Sequence, residues 1–306
     1  MGEVVYPRIA VIGCGLIGSA IIRAARAAGA VETVAVADAN PEHRARIETL
    51  GYADLVTADA AEAATGADLV IIATPPGVIG QAAKAAARGM KAGATLTDVG
   101  SVKHPVVEAL MAAAPDGVHV IAGHPIAGTE QSGPDAGFAE LFQNRWTILC
   151  PREGQDSEAV ARLTRFWEAL GAHVELMDDK HHDLVLAVTS HVPHLIAYNI
   201  VGTAADLEAV TQGEVMKFSA GGFRDFTRIA ASDPTMWRDV FLLNKDAELE
   251  ILGRFTEDLQ ALQRAIRWGE GEKLHELFTR TRAIRRGVIE AGQESATPNF
   301  GRDQRP

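Results

Sequence analysis

The stretch Ile9-Ala10-Val11-Ile12-Gly13-Cys14-Gly15-Leu16-Ile17-Gly18 decides the fold. A short, mostly β-branched apolar run ends in G-x-G-x-x-G, and an Ala-rich helical pattern follows at once. Gly13 permits a tight turn, Gly15 lets the backbone approach a pyrophosphate, and Gly18 lets helix and strand pack closely. Leu16 and Ile17 open a helix whose free N–H groups and positive dipole end favour an anion. Asp38 closes the next apolar run, 20 residues after Gly18. A carboxylate there accepts hydrogen bonds from ribose hydroxyls and repels a 2′-phosphate, which favours NAD over NADP. Asp38 could equally cap the helix beginning at Pro41 or serve a turn.

Outward from this motif, apolar runs at 9–12, 34–37, 69–73, 95–99, 119–122 and 147–149 alternate with helical segments. Near-continuous apolar runs are those of strands covered on both faces, and their alternation with helices predicts a parallel, doubly wound sheet. The loop Thr74-Pro75-Pro76 falls on the carboxyl edge of that sheet, where Thr74 and Pro75 would line a cofactor cleft. After Pro151 one helix (157–170) and one strand (173–177) remain, and beyond Asp178 the pattern is helical, with long helices at 246–268 and 271–290. The expected organisation is a Rossmann-type α/β domain over 1–178, an all-α domain over 179–290 and a flexible tail over 291–306.

The formal charge of −11 and the lack of a Lys/Arg block argue against nucleic acid, and require a locally basic pocket for any anionic substrate. Two cysteines, Cys14 and Cys150, make no disulfide framework. No apolar stretch reads as the roughly 20 residues of a membrane span, and the N-terminus has no targeting pattern, so a cytoplasmic protein with no membrane partner is expected.

Three segments carry polar residues that a purely structural role explains poorly. Asp98-Val99-Gly100-Ser101-Val102-Lys103 ends one strand, and Gly123-His124-Pro125-Ile126-Ala127-Gly128-Thr129-Glu130 follows another, both where open α/β sheets bind ligands. Ser190-His191-Val192-Pro193-His194 reads as a helix opening, with Pro193 in the first turn. His191 and His194 share a helix face at i, i+3. A metal there would need more ligands, with His181, His182 and Asp183 nearest, and hydride transfer requires none, so no metal is expected.

Together with Gly221-Gly222-Phe223-Arg224-Asp225-Phe226-Thr227-Arg228-Ile229-Ala230 and Asp233-Pro234-Thr235-Met236-Trp237, these segments resemble the prephenate/arogenate dehydrogenase family, in order, over about residues 9–285. The resemblance implies oxidative decarboxylation of prephenate, arogenate or both with hydride transfer to NAD, in tyrosine biosynthesis, by a homodimer built on its helical domain. It implies His124 as acceptor of the substrate hydroxyl, Ser101 beside the nicotinamide, His194 in the substrate pocket and Arg228 on a substrate carboxylate. Thr129 and Glu130 match pocket residues, and Trp237 a residue near the active site.

Each role has a plainer alternative. His124 could be a loop histidine bonded to backbone, Ser101 a helix cap, Trp237 core, and Arg224 could share the task of Arg228 or pair with Asp225. Lys103 reads as solvated or structural. The length leaves no room for a fused mutase or regulatory domain. Two other readings compete. Rossmann-plus-helical 3-hydroxy-acid dehydrogenases and imine reductases share the architecture, but such hydroxy-acid enzymes generally rely on a helix-borne lysine where this chain has His191 and His194. A non-catalytic NAD-sensing regulator would need a nucleic-acid-reading module, which the sequence lacks.

Overall fold

The structure, a computed structural model, describes residues 3–129, 131–211 and 221–290. Strands β1 (Tyr6–Ile12), β2 (Val31–Ala37), β3 (Leu55–Thr57), β4 (Leu69–Ile72), β5 (Thr95–Asp98) and β6 (His119–Val120) form one parallel sheet in the order β3-β2-β1-β4-β5-β6. Helices α1 (Leu16–Ala28), α2 (Pro41–Leu50), α3 (Ala60–Ala64), α4 (Ile79–Ala87) and α5 (His104–Ala113) connect them.

Strand alternation builds two cores from these runs. Ile9, Val11, Val34, Val36, Leu69 and Ile71 are buried in one, while Ala10, Ile12, Ala35, Ala37, Val70 and Ile72 are buried in the other. Each fully buried Val, Leu or Ile is worth about 1.5–3 kcal/mol, so this two-sided burial is the main force holding the sheet. The Ala-rich helices contribute Ala63, Ala64, Ala83 and Ala86 to the second core, where small side chains allow close helix–sheet approach. Strand order reverses between β1 and β4, and the loops after these two strands flank the crevice where doubly wound sheets bind ligands.

The run at 119–122 is not one strand of this sheet. The main-sheet pairing stops at β6, and the chain passes into β7 (Ala122–Pro125) of a separate sheet. There β7 pairs antiparallel with β8 (Trp146–Cys150), which pairs parallel with β9 (His173–Leu176) after helix α6 (Ser157–Ala169). Both halves of the run are buried, so their apolar character conceals the crossover. His124 consequently stands on a strand, opposite Ile148, and not in a loop.

The segment around Pro193 also differs from its reading as a helix start. Helix α7 (Asp179–Leu186), capped by Asp178, continues through a π-helical turn (Ala187–His191) into α8 (Val192–Thr211). The Val192 N–H reaches back five residues to the Ala187 carbonyl, and this widened turn brings the helix to Pro193, which has no N–H of its own to place. The continuous helix over 179–207 contains an 18-residue window of mean hydropathy 1.5, so a stretch with the length and apolarity of a membrane span does exist. Pro193 and the polar histidines obscure it in the sequence.

Helices α9 (Gly221–Thr227), α10 (Pro234–Leu243), α11 (Lys245–Arg267) and α12 (Gly271–Glu290) follow, the last two where the periodicity places them. Residues 1–249 form one compact unit and 250–306 a second. Within the second, the end of α11 meets α12 through Gly269, whose φ of 67° only glycine adopts at little cost. The anticipated tail at 291–306 lies outside the described residues.

Candidate active site

At the crevice the glycines do what their spacing requires. Gly13 has φ 91°, and a Cβ there would stand 2.8 Å from the Ala73 carbonyl oxygen. A Cβ on Gly18 would stand 2.3 Å from the Gly13 carbonyl oxygen, so the loop and α1 pack too closely for any side chain. At Gly15 a Cβ would meet nothing within 4 Å, leaving open space beside the start of α1, where Leu16 and Ile17 lie. Asp38 accepts hydrogen bonds from Cys14 N (2.8 Å) and Asn40 N (2.9 Å), which fix its carboxylate beside the Gly-rich loop. Asn40, not Asp38, caps α2 through Glu42 N. Across the crevice the Thr74 hydroxyl is buried without a hydrogen-bond partner among the described residues, and Pro75 is exposed next to it. An orphaned donor, an uncovered helix start and a fixed carboxylate together fit a dinucleotide.

One buried network joins the segments around Asp98 and His124. Lys103 is fully buried, not solvated, and pairs with the equally buried Asp98. Its Nζ also donates to the Gly123 carbonyl at 2.7 Å. Asp98 accepts from Gly100 N (2.7 Å) and Gly123 N (3.1 Å), so the ion pair ties the Ser101 loop to the strand carrying His124. Nδ1 of His124 lies 2.9 Å from Nε2 of His182, and Nδ1 of His182 lies 2.9 Å from Oδ1 of Asp183. Asp183 also accepts from Lys103 N (2.6 Å) and His104 N (2.8 Å), at the start of α5. Burial first, then the charges of His182, Lys103 and His191, hold His124 well below the usual imidazole range. Burial likewise lowers His182, with Asp183 opposing it. Both rings are therefore neutral near pH 7.

A second cluster lies on the helical elements. The His194 ring stacks on Trp237, centroids 3.7 Å apart, and His191 meets the same indole edge-on at 5.9 Å. His191 bonds Glu248 at 2.6 Å, while its Nε2 and the Trp237 N–H are buried without partners among the described residues. Burial lowers His194, its hydrogen bond to the Ser190 carbonyl opposes the shift, and the charges of His191 and Arg228 add to it. Nδ2 of Asn244 donates to the Asp183 carbonyl at 2.9 Å and lies 3.3 Å from Nδ1 of His191, so this amide joins the two clusters.

His124 thus stands in the first cluster and His194 with Trp237 in the second, while Arg228 is exposed at the turn that follows α9. Ser101 is half-buried and makes no side-chain hydrogen bond to a described residue, and α5 has no side-chain cap. Thr129 is exposed, its hydroxyl accepting from Gln131 N, and it contacts none of these residues through a described bond. Glu130 lies outside the described residues. Arg224 is exposed on α9, one turn before Arg228. In the sequence His182 and Asp183 read only as candidate metal ligands. The usable signal was a His-Asp pair in the first turns of a helix, with one polar side chain of each type available to a neighbour.

Residues 21–176 match the family description "Prephenate dehydrogenase, nucleotide-binding domain" and 178–280 match "Prephenate dehydrogenase, dimerization domain". The chain is 41% identical to the cyclohexadienyl dehydrogenase of Zymomonas mobilis, over 92% of this chain and 96% of that protein. It is similar to the crystal structure of prephenate dehydrogenase from A. aeolicus in complex with hydroxyphenyl propionate and NAD+, with TM-score 0.85 and 32% identity, covering 92% of this chain and 98% of the other. It is also similar to the Synechocystis arogenate dehydrogenase structure, with TM-score 0.78 and 25% identity, over 92% and 99% of the two chains.

Proposed function

The chain belongs to the prephenate dehydrogenase family, and from that premise we infer that it oxidatively decarboxylates prephenate, arogenate or both, using NAD, in tyrosine biosynthesis. The Gly13–Gly18 loop, Asp38, Thr74 and Pro75 would hold NAD, which would supply the acceptor for the hydride of the carbinol carbon. The observation that carries the catalytic assignment is His124, a buried neutral imidazole whose Nε2 has no hydrogen-bond partner among the described residues.

His124 accepts the proton of the substrate hydroxyl through Nε2 as the C–H hydride leaves. The bond from the ring to its carboxylate then breaks, its electron pair completes the aromatic ring, and CO2 departs. The imidazolium returns its proton to the phenolate oxygen, so the balance is substrate and NAD+ to phenol, CO2 and NADH. Aromatisation supplies the driving force, which leaves the protein mainly to orient and polarise. Ser101, whose loop is tied to the His124 strand through the Asp98–Lys103 pair, is assigned beside the reacting centre on the family resemblance. Arg228 binds a substrate carboxylate with its planar fork, His194 adds a hydrogen bond, and the unpartnered Trp237 N–H offers a further donor. Thr129 and Glu130 are assigned to the pocket on the family resemblance.

We assign residues 1–178 to cofactor binding and 179–290 to substrate binding and dimerisation, with the protein acting as a cytoplasmic homodimer. Exposed Leu207, Phe226, Leu242 and Leu249, and separately Leu259, Ile266, Phe278 and Ile284, supply apolar surface that a second copy would cover. The test of the catalytic assignment is His124→Asn. It lowers kcat by about 10²-fold or more with NAD affinity retained, and near-normal turnover would remove His124 from the mechanism.

A further inference from the structure

The hydrogen-bond direction in the chain Asp183–His182–His124 can be read from its acidic end. A carboxylate only accepts, and Asp183 already accepts from Lys103 N at 2.6 Å and His104 N at 2.8 Å. The His182 Nδ1 at 2.9 Å from it must therefore carry a proton. A neutral imidazole carries one, so His182 presents a lone pair at Nε2. That lone pair faces Nδ1 of His124 at 2.9 Å, and the contact is a bond only if His124 donates. The alternative tautomer of His124 would oppose two lone pairs at the same distance. The proton of His124 consequently lies on Nδ1, and its free lone pair lies on Nε2.

We propose that His182 and Asp183 are positioning residues for the dehydrogenase reaction, holding His124 in the Nδ1–H tautomer so that Nε2 alone can take the substrate proton. This rests on the reading of His124 as hydroxyl acceptor. When Nε2 is protonated, the positive charge on His124 is met through His182 by the Asp183 carboxylate, without any proton moving along the chain. The other charged and titratable groups around His124 cannot take this part. Lys103 is committed to Asp98 and the Gly123 carbonyl, and His191 to Glu248.

A purely mechanical role would be met by Asp183 alone, whose two backbone bonds already join α7 to the start of α5. The His182 ring adds something different. It is fully buried, and each of its nitrogens has a single partner among the described residues, one acidic and one the proposed acceptor. It stands where an imidazole must be oriented by a third group.

The test combines a spectrum with a kinetic split. Long-range proton–nitrogen correlations on 15N-histidine-labelled enzyme at pH 7.5, assigned with His124→Asn, report which ring nitrogen of His124 is protonated. The expected wild-type state is Nδ1–H, and a wild-type Nε2–H state overturns the proposal whatever the variants do. His182→Leu should lower kcat by about tenfold or more, with KM and NAD affinity within about threefold. His182→Gln should recover most of kcat, because its carbonyl can accept from His124 while its amide donates to Asp183. Unchanged kcat in His182→Leu, or a loss confined to KM, also overturns the proposal. If neither variant folds, the wild-type spectrum decides alone. If His124→Asn keeps its turnover while the wild-type tautomer is Nδ1–H, the acceptor assignment fails and the relay geometry stands.

Discussion

Replacing Lys103 by Met removes the charge from a pair in which both side chains are fully buried. Met fits the apolar stem of the lysine, so the change isolates the ammonium group. It leaves the Asp98 carboxylate with the Gly100 and Gly123 N–H groups but no counter-charge, and it deprives the Gly123 carbonyl of a donor. Breaking a buried pair on one side typically costs about 3–5 kcal/mol. For a chain of this size each kcal/mol moves the melting temperature by about 1.5–2 °C, so Lys103→Met should melt roughly 5–10 °C lower. Differential scanning calorimetry at fixed protein concentration measures this directly. The double variant Asp98→Asn, Lys103→Met removes the orphaned charge and should recover part of the loss, by about 1 kcal/mol or more. A Lys103→Met protein that melts within about 2 °C of wild type, or a double variant less stable than the single, would refute the claim that this ion pair holds the site together.

Other consequences follow from the same geometry. Asp38 should make NAD the better cofactor, and Asp38→Ser should narrow the gap; equal kcat/KM for NAD and NADP in the unmodified enzyme would contradict its role at the ribose. Arg228→Ala should raise KM for the substrate by about tenfold or more with a smaller change in kcat. If Arg224→Ala raises it instead, the carboxylate is held one turn earlier. Acid should destabilise the fold through His124 and His182, both lowered in the folded state. Below the unfolded imidazole value of about 6.5 the unfolded chain binds more protons. The stability conferred by the neutral rings is present above that pH and lost as pH falls toward the folded values, at up to about 1.4 kcal/mol per pH unit for each ring. Urea midpoints that stay level between pH 7 and 5 would show that these rings titrate normally.

The cofactor cleft was legible because its information is local. Gly13, Gly15 and Gly18 act within one turn, and Asp38 ends the adjacent strand, so spacing along the chain is spacing in the fold. His124 could be singled out from its segment, but its setting could not. Its hydrogen-bond partner His182 is 58 residues away and Asp183 one further, a relation that no periodicity encodes. The same holds for Lys103, whose burial depends on Asp98 and the Gly123 carbonyl closing over it. The crossover from β6 to β7 was hidden because Val120, Ile121 and Ala122 are apolar and buried straight across it. Pro193 suggested a helix start, where a π-helical turn carries the chain through. Long-range polar pairing and helix irregularity decide this site, and neither leaves a repeat in the sequence.

The reaction assigned to this chain couples NAD reduction to decarboxylation of a cyclohexadienol. It is tested most directly by incubating the purified protein with NAD+ and prephenate, and separately with arogenate, and following NADH absorbance together with released CO2. The account predicts NADH and CO2 in equal amounts from at least one of the two, with hydroxyphenylpyruvate formed from prephenate or tyrosine from arogenate. NAD+ binding with no NADH from either substrate, or NADH from a simple 3-hydroxy acid in their place, would contradict it.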